Sequence, residues 1–218
     1  MSSIVENLKE IAGSLPEGVK LVAVSKTKPV EAIVEAYEAG QRVFGENRVQ
    51  ELAEKYEVLP KDIEWHMIGH LQTNKVKYMA AFVSLIHGVE SLKLLETIDK
   101  EGKKHDRVIP CLLQFYIASE ETKFGLDMEE AKALLESADY KNMKNVKIVG
   151  VMGMATNTDD EVQVRREFHH LKEIFDELKT TYFAENPEFK ELSMGMSGDY
   201  RIAVEEGSTM VRVGSSIF

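Results

Sequence analysis

The fold can be inferred outward from one run near the start of the chain, Leu21-Val22-Ala23-Val24-Ser25-Lys26. It is a continuous apolar run of strand length, which is typical of a parallel strand with both faces covered. Its last residue is a lysine. Because α/β folds bind ligands at the carboxyl ends of their strands, Lys26 is a candidate nucleophile that forms a Schiff base with an aldehyde. The alternative is a solvated lysine at the rim of the fold, since lysines are rarely fully buried.

The same unit recurs along the chain, because each apolar run precedes a segment with helical spacing of its apolar residues. The predicted strands are residues 21–25, 42–44, 63–68, 82–86, 108–117, 146–151, 192–194 and 210–213. An amphipathic helix with Ile4, Leu8 and Ile11 on one face opens the chain. The clearest later helix has Thr158 and Glu161 at capping-box spacing before its apolar stripe.

Strands alternating with helices over 218 residues predict an α/β fold, a single-domain (β/α)8 barrel of the TIM type that spans residues 1–218. The alternative is an open, doubly wound sheet. We favour the barrel because eight strands are enough to close one. The opening helix would then cover the place of the missing final helix.

Composition limits the partners and the compartment. The 27 Lys and Arg residues against 37 Asp and Glu residues give a formal net charge of -10, which repels phosphate backbones and anionic lipids. We therefore expect no nucleic acid and no membrane partner. The lone Cys111 cannot form an intramolecular disulfide, and residues 1–8 lack the pattern of a secretory signal, so we expect a cytoplasmic protein.

The loops after the last two strands are candidate phosphate sites. They read Gly195-Met196-Ser197-Gly198-Asp199 and Gly214-Ser215-Ser216. Phosphate commonly binds at these loops in TIM barrels, where glycine admits the ligand and serine adds a donor. Ordinary turns are the alternative for each loop alone. A closed barrel brings the first strand beside the eighth, so Lys26 and these loops are expected to be neighbours.

Arg212 lies among apolar residues in the last predicted strand, where an unpaired charge is costly. It either pairs with a carboxylate of the barrel or donates to the ring nitrogen of a pyridoxal ring. An arginine at that nitrogen keeps it unprotonated and weakens the electron sink. Asn47, after the second strand, either caps a helix or contacts a cofactor.

Other candidates are weaker. His66 and His70 have the spacing of a zinc pair but lie in a predicted strand and loop with no third ligand, so we expect no metal. His87 ends the fourth strand and is expected at the mouth of the barrel. Cys111 is expected in the core.

Several motifs together resemble one family. They are 21–29 (LVAVSKTKP), 44–47 (FGEN), 65–75 (WHMIGHLQTNK), 195–197 (GMS) and 211–218 (VRVGSSIF). In this order they closely resemble the pyridoxal phosphate homeostasis protein family. The resemblance implies a barrel like the N-terminal domain of alanine racemase, of fold type III, that binds pyridoxal 5'-phosphate (PLP).

The resemblance also implies roles for individual residues. Lys26 would hold PLP as a Schiff base and Arg212 would face the ring nitrogen. The phosphate would be held by Ser197, Gly214 and Ser215, and the ring would be lined by Asn47 and Met194. Glu90 departs from the family pattern, where we would expect an aspartate.

The function implied is a non-catalytic PLP carrier in vitamin B6 homeostasis, expected as a monomer, that delivers PLP to apoenzymes. Two alternatives remain open: a PLP-dependent amino-acid racemase or related enzyme of low activity, and a Schiff-base aldolase without cofactor. We expect no second, β-rich racemase domain. Without its tyrosine, racemisation with two bases is not supported.

Overall fold

A computed structural model describes residues 3–120 and 124–218 of the chain. Its eight parallel strands form a closed barrel in sequence order, and helices alternate with them. The predicted (β/α)8 barrel is therefore confirmed and the open sheet is wrong. None of the helices in the described part of the chain is both long and apolar enough to cross a membrane.

The elements of the barrel follow the predicted order. The strands are β1 (Lys20–Val24), β2 (Val43–Glu46), β3 (Glu64–Met67), β4 (Leu85–Val89), β5 (Ile109–Gln114), β6 (Val146–Met152), β7 (Glu191–Ser193) and β8 (Met210–Val213). The α-helices are α1 (Ile4–Ser14), α2 (Val30–Glu38), α3 (Val49–Val58), α4 (Leu92–Lys104), α5 (Met128–Glu136), α6 (Ala138–Lys141), α7 (Glu161–Tyr182) and α8 (Tyr200–Glu205). A 3₁₀ helix (Thr73–Tyr78) precedes β4.

Local capping chemistry explains where two helices begin. Asp127 and Glu130 form a capping box at α5, as their spacing predicts. At α7 the cap is Asp160, not Thr158 as the spacing suggested, because the Asp160 carboxylate accepts from two free N–H groups of the first turn.

Most strand boundaries differ from the prediction by one or two residues, and β4 and β5 differ more: β5 ends at Gln114 rather than at residue 117. β4 begins at Leu85 rather than at residue 82. The N–H groups of Phe82 and Val83 both donate to the Met79 carbonyl, at 3.1 and 2.9 Å, and so close the turn after the 3₁₀ helix. The backbone donors of these residues are therefore unavailable to the sheet.

Pairing of the first and last strands closes the barrel. In the parallel pair of β1 and β8, Val22 lies opposite Arg212 and Ala23 opposite Val213. Outside the strands, the Asn7 amide of α1 donates to the Ile217 carbonyl at 2.9 Å, and α1 packs against α2. The opening helix thus covers the flank that a final helix would cover.

The apolar core has two parts. The larger lies between the strands and the helices and includes Cys111, whose burial raises the pKa of its thiol. Its predicted core position is confirmed. The smaller part fills the barrel interior and consists of Val22, Val43, Leu85, Leu112, Val149, Met152 and Met210.

A hydrogen-bonded chain of polar side chains crosses this interior. Nδ1 of His66 lies 2.9 Å from Nε2 of His87, and Nδ1 of His87 lies 3.0 Å from Oγ of Ser193. The Arg212 guanidinium donates to the same Ser193 hydroxyl. His87 is fully buried, so its expected place at the mouth is wrong. The reason is that β4 continues beyond His87 to Val89, which leaves the imidazole inside the barrel.

The two buried imidazoles make stability depend on pH. Burial lowers the pKa of His66 to about 3 and that of His87 well below its usual value. The unfolded chain, with histidine pKa values of about 6.5, takes up protons first as pH falls. The free energy of unfolding should therefore decrease from about pH 6.5 toward pH 3, by about 1 kcal/mol per pH unit for each histidine.

Urea unfolding of the wild type and of the double variant His66→Leu/His87→Leu, followed from about pH 7 to pH 5, measures this slope. We expect a shallower pH dependence in the variant. His170→Gln is the control, because His170 is exposed. Equal slopes in the wild type and the double variant would contradict the assignment.

Candidate functional site

A cavity of about 600 Å³ opens at the carboxyl end of the barrel. Its volume lies in the range of small-molecule and cofactor sites. It brings together nearly all the predicted site residues, namely Lys26, Asn47, Ser197, Arg212, Gly214 and Ser215. Residues from strands far apart in sequence therefore meet at one place.

Met194 is the predicted site residue that does not line this cavity. It is fully buried in the core between the sheet and the helices. The preceding Ser193 points into the barrel, where it contacts Arg212, and successive side chains of a strand point to opposite faces. We therefore leave Met194 out of the site, where Met154 and Met196 lie instead.

The cavity is lined by positively charged side chains. Lys26 and Arg212 line it, and among its described lining residues there is no carboxylate. The chain as a whole carries a formal net charge of -10. Exclusion of acidic side chains from this one cavity favours an anionic ligand.

Arg212 is buried without an ion pair among the described residues. It is 3% exposed, and its guanidinium donates to Ser193 Oγ and, at 3.1 Å, to the Gly153 carbonyl. Burial lowers the pKa of Arg212 to about 10, against the raising effect of the Asp199 charge, and the guanidinium is charged at neutral pH. A guanidinium has further N–H donors, and these remain for a ligand in the cavity.

The loops after β7 and β8 are joined to each other. The Gly214 N–H donates to Ser197 Oγ at 3.2 Å. The Gly214 carbonyl in turn accepts from the N–H groups of Ile217 and Phe218, at 2.9 and 3.0 Å. A Cβ at Gly214 would lie 2.9 Å from the Val24 carbonyl oxygen, so only glycine fits there. The two predicted phosphate loops thus form one cradle against the end of β1.

Lys26 lies in the turn that follows β1. Ser25 is buried, whereas Lys26 is exposed where it lines the cavity. The Lys28 N–H donates to the Ser25 carbonyl at 3.1 Å and closes the turn. Thr27 adopts a φ of 63°, a left-handed conformation that threonine rarely adopts. Such a turn needs contacts that hold it.

Those contacts come from the Lys55 cluster, which consists of Ser25, Glu46, Glu51 and Lys55. The Lys55 amine donates to the Ser25 carbonyl at 2.7 Å and to carboxylate oxygens of Glu46 and Glu51 at 2.9 and 2.7 Å. Glu51 also accepts the Thr27 N–H at 2.7 Å. The backbone is therefore held on both sides of Lys26.

Glu46 is the buried centre of this cluster. Burial raises the pKa of its carboxyl, against the lowering effect of hydrogen bonds from Ser25 and Lys55. Its Oε1 has no hydrogen-bond partner among the described residues. Sequence reasoning missed the cluster, although Glu51 and Lys55 have the i, i+4 spacing of a helical ion pair.

Sequence reasoning also missed an aromatic contact at the rim of the cavity. The rings of His70 and Phe124 stack with centroids 4.5 Å apart, and both residues line the cavity. His70 Nδ1 lies 3.1 Å from a Glu90 carboxylate oxygen. Phe124 carried no sequence signal, because it follows β5 outside any predicted element.

Metal binding has no support at this site. Within residues 3–120 and 124–218, no group of three or more histidine, cysteine, aspartate or glutamate side chains could hold a metal ion. His66 and His70 do not act as a pair, since His66 lies inside the barrel and His70 at the rim.

Comparison with known proteins agrees with this architecture. The family model described as "Alanine racemase, N-terminal domain" matches residues 1–218. A pyridoxal phosphate homeostasis protein of Aquifex aeolicus is 41% identical, with 100% of this chain and 95% of that protein covered. The pyridoxal phosphate homeostasis protein of Vibrio alginolyticus is 38% identical, with 100% and 97% covered.

Solved structures show the same barrel. PipY of Synechococcus elongatus with PLP bound has a TM-score of 0.87 and 36% identity, and the match covers 99% of this chain and 100% of that chain. Alanine racemase of Bartonella henselae has a TM-score of 0.76 at 18% identity, and shares the fold over 60% of its own length. The full-length relatives above 30% identity and the family model lead to one conclusion: the chain belongs to the pyridoxal phosphate homeostasis proteins, within the alanine racemase N-terminal domain family.

Proposed function

We propose that this chain binds PLP in the cavity at the top of the barrel and serves in intracellular vitamin B6 homeostasis. The proposal rests on one cavity that contains both an amine, that of Lys26, and a buried guanidinium, that of Arg212. The described lining of this cavity has no carboxylate. PLP is an anion with an aldehyde, so it matches both the charge and the nucleophile. The relatives' name and the PLP in PipY support the same ligand.

The residues present fit the parts of PLP. When bound, PLP supplies an aldehyde carbon and an electron-withdrawing ring. Lys26 holds it as a Schiff base, and Arg212 donates to the ring nitrogen. In the cradle of Ser197, Gly214 and Ser215, the serine hydroxyls are donors for the phosphate, and Gly214, whose N–H donates to Ser197 Oγ, leaves the Ser197 hydrogen for the ligand. Asn47 lies at the wall of the same cavity.

We further propose that binding is not followed by ordinary turnover. The Arg212 guanidinium, charged at neutral pH, keeps the ring nitrogen unprotonated and weakens the electron sink. Racemisation also needs acid–base groups on both faces of the ring. Of the described lining residues, His70 is the acid–base candidate besides Lys26; it lies at the rim of the cavity, where it contacts Glu90 and stacks on Phe124.

Delivery of PLP to apoenzymes is the role that this arrangement supports. Lys26 is exposed, so water reaches the Schiff base and can reverse it. We propose that residues 1–218 act as a single PLP-binding domain and as a monomer. The free, buried thiol of Cys111 agrees with a cytoplasmic location, where thiols stay reduced.

Substitutions at Lys26 and Gly214 should show separately what the covalent bond and the phosphate cradle contribute to PLP binding. Lys26→Ala removes the amine, so the visible absorbance of the Schiff base should disappear while weaker, phosphate-anchored binding remains. Gly214→Ala places a methyl group against the Val24 carbonyl, so affinity should fall about tenfold, or about 1.4 kcal/mol, while the absorbance of saturated protein persists. Absorbance titration with PLP measures both effects.

Matched controls exist for each variant. Lys28→Ala removes the neighbouring amine, and Gly13→Ala adds a methyl group with no atom within 4 Å of it. Both should bind PLP as the wild type does. If Lys26→Ala keeps the Schiff-base absorbance and Lys28→Ala loses it, the assignment of the nucleophile is wrong.

A second prediction distinguishes carrier from enzyme. PLP-loaded protein mixed with a PLP-dependent apoenzyme should restore the activity of that apoenzyme, because the exposed Schiff base can exchange. The same loaded protein, given single L-amino acids, should show no turnover at the rates of ordinary enzymes, which are about 1–1000 per second. Racemisation or transamination at such rates would refute the carrier and support the enzyme.

A further inference from the structure

The side chains of Arg212, Ser193, His87 and His66 form the interior chain, which runs through the barrel beneath the cavity. Each link is a buried hydrogen bond between neighbouring members, and every member is at most 3% exposed. The binding of PLP uses only its first member, Arg212. The remaining members have no role in holding the ligand directly.

Only one direction of these hydrogen bonds gives the Ser193 hydroxyl hydrogen an acceptor among the described residues. In the reverse direction, Ser193 Oγ would accept from both Arg212 and His87 Nδ1, and its own hydrogen would have no such acceptor. Arginine has no acceptor, so Ser193 Oγ accepts from Arg212. The Ser193 hydroxyl hydrogen then has His87 Nδ1, 3.0 Å away, as its acceptor. An imidazole that accepts at Nδ1 and is neutral carries its proton at Nε2.

The hydrogen bonds keep the same direction to the other end of the interior chain, at His66. His87 Nε2 donates to His66 Nδ1, 2.9 Å away, so His66 also carries its proton at Nε2. Burial lowers the pKa of both histidines and keeps them neutral near pH 7. Both rings therefore accept on the side that faces Arg212 and donate on the side that faces away.

We propose that His87 and His66 are positioning residues, which act through Ser193 to hold the Arg212 guanidinium against the ring nitrogen of bound PLP. The inference rests on the proposed function and deepens it. Arg212 has no direct ion pair among the described residues, although the charge of Asp199 acts on it, and the side chain hydrogen-bonded to its guanidinium inside the barrel is the first of a row of aligned neutral dipoles. No carboxylate among the described residues is therefore hydrogen-bonded to the guanidinium in the place of the ligand.

The interior chain also reaches the opposite end of the barrel. His66 lines a second cavity, of about 270 Å³, together with Lys20, Glu64 and Glu191. The ring-nitrogen position at the top of the barrel is thus connected by hydrogen bonds to a polar opening at the bottom.

The first test uses the protein without PLP. Nitrogen-15 NMR of labelled histidine should show both buried rings with the proton at Nε2 and with no titration between about pH 5 and pH 8. A proton at Nδ1 of His87 would reverse the direction of the chain and overturn the inference. This result does not depend on whether PLP is the ligand.

The second test compares substitutions at His87. His87→Leu removes the acceptor for Ser193, so PLP affinity should fall about tenfold and the absorbance maximum of bound PLP should shift. His87→Asn restores an oxygen acceptor near the position of Nδ1 and should return affinity to within about threefold of the wild type. Leu112→Val, a substitution in the same interior outside the chain, controls for loosened packing.

The outcomes separate the two claims. If the wild type binds no PLP, the proposed function fails and this inference with it. If the wild type binds PLP and His87→Leu matches Leu112→Val in affinity and spectrum, the inference alone fails. Should His87→Leu not fold, Ser193→Ala replaces it, because that variant removes the acceptor of Arg212 directly.

Discussion

The parallel pairing of β1 with β8 is the constraint on which the site depends. Its register sets Val22 opposite Arg212 and Ala23 opposite Val213, so the two strands end side by side. The turn that carries Lys26 therefore lies against the loop that carries Gly214, and Val24 and Gly214 approach too closely for any side chain at position 214. An amine and an anion cradle become neighbours through closure of the barrel, without any sequence proximity.

Polar networks on two sides hold this site in place. Outside the barrel wall, the Lys55 cluster holds the strained turn at Thr27 by the backbone on both sides of Lys26. Inside the wall, Ser193 and the two buried histidines hold Arg212. Buried polar networks are costly unless paired, and in these two networks Glu46 Oε1 is the one buried side-chain polar atom without a partner among the described residues. Their pairing preorganises the groups that face the ligand.

Much of the fold was predictable because its signals are local. Apolar runs of strand length, helical spacing and glycine–serine turns predicted the eight strands, the position of Lys26 and the two loops of the cradle. Met194, His87 and the Lys55 cluster could not be placed in the same way. Which face of a strand a side chain occupies depends on register, and Glu46 meets Lys55 only after α3 packs on β2.

The whole site is arranged around a bond between PLP and Lys26. Reduction of the PLP-loaded protein with borohydride, followed by mass spectrometry of its peptides, identifies the lysine that forms this bond. We predict one phosphopyridoxyl group, located on Lys26. A label on Lys28 or on another lysine with Lys26 unmodified, or no label at all, would show that Lys26 is not the nucleophile.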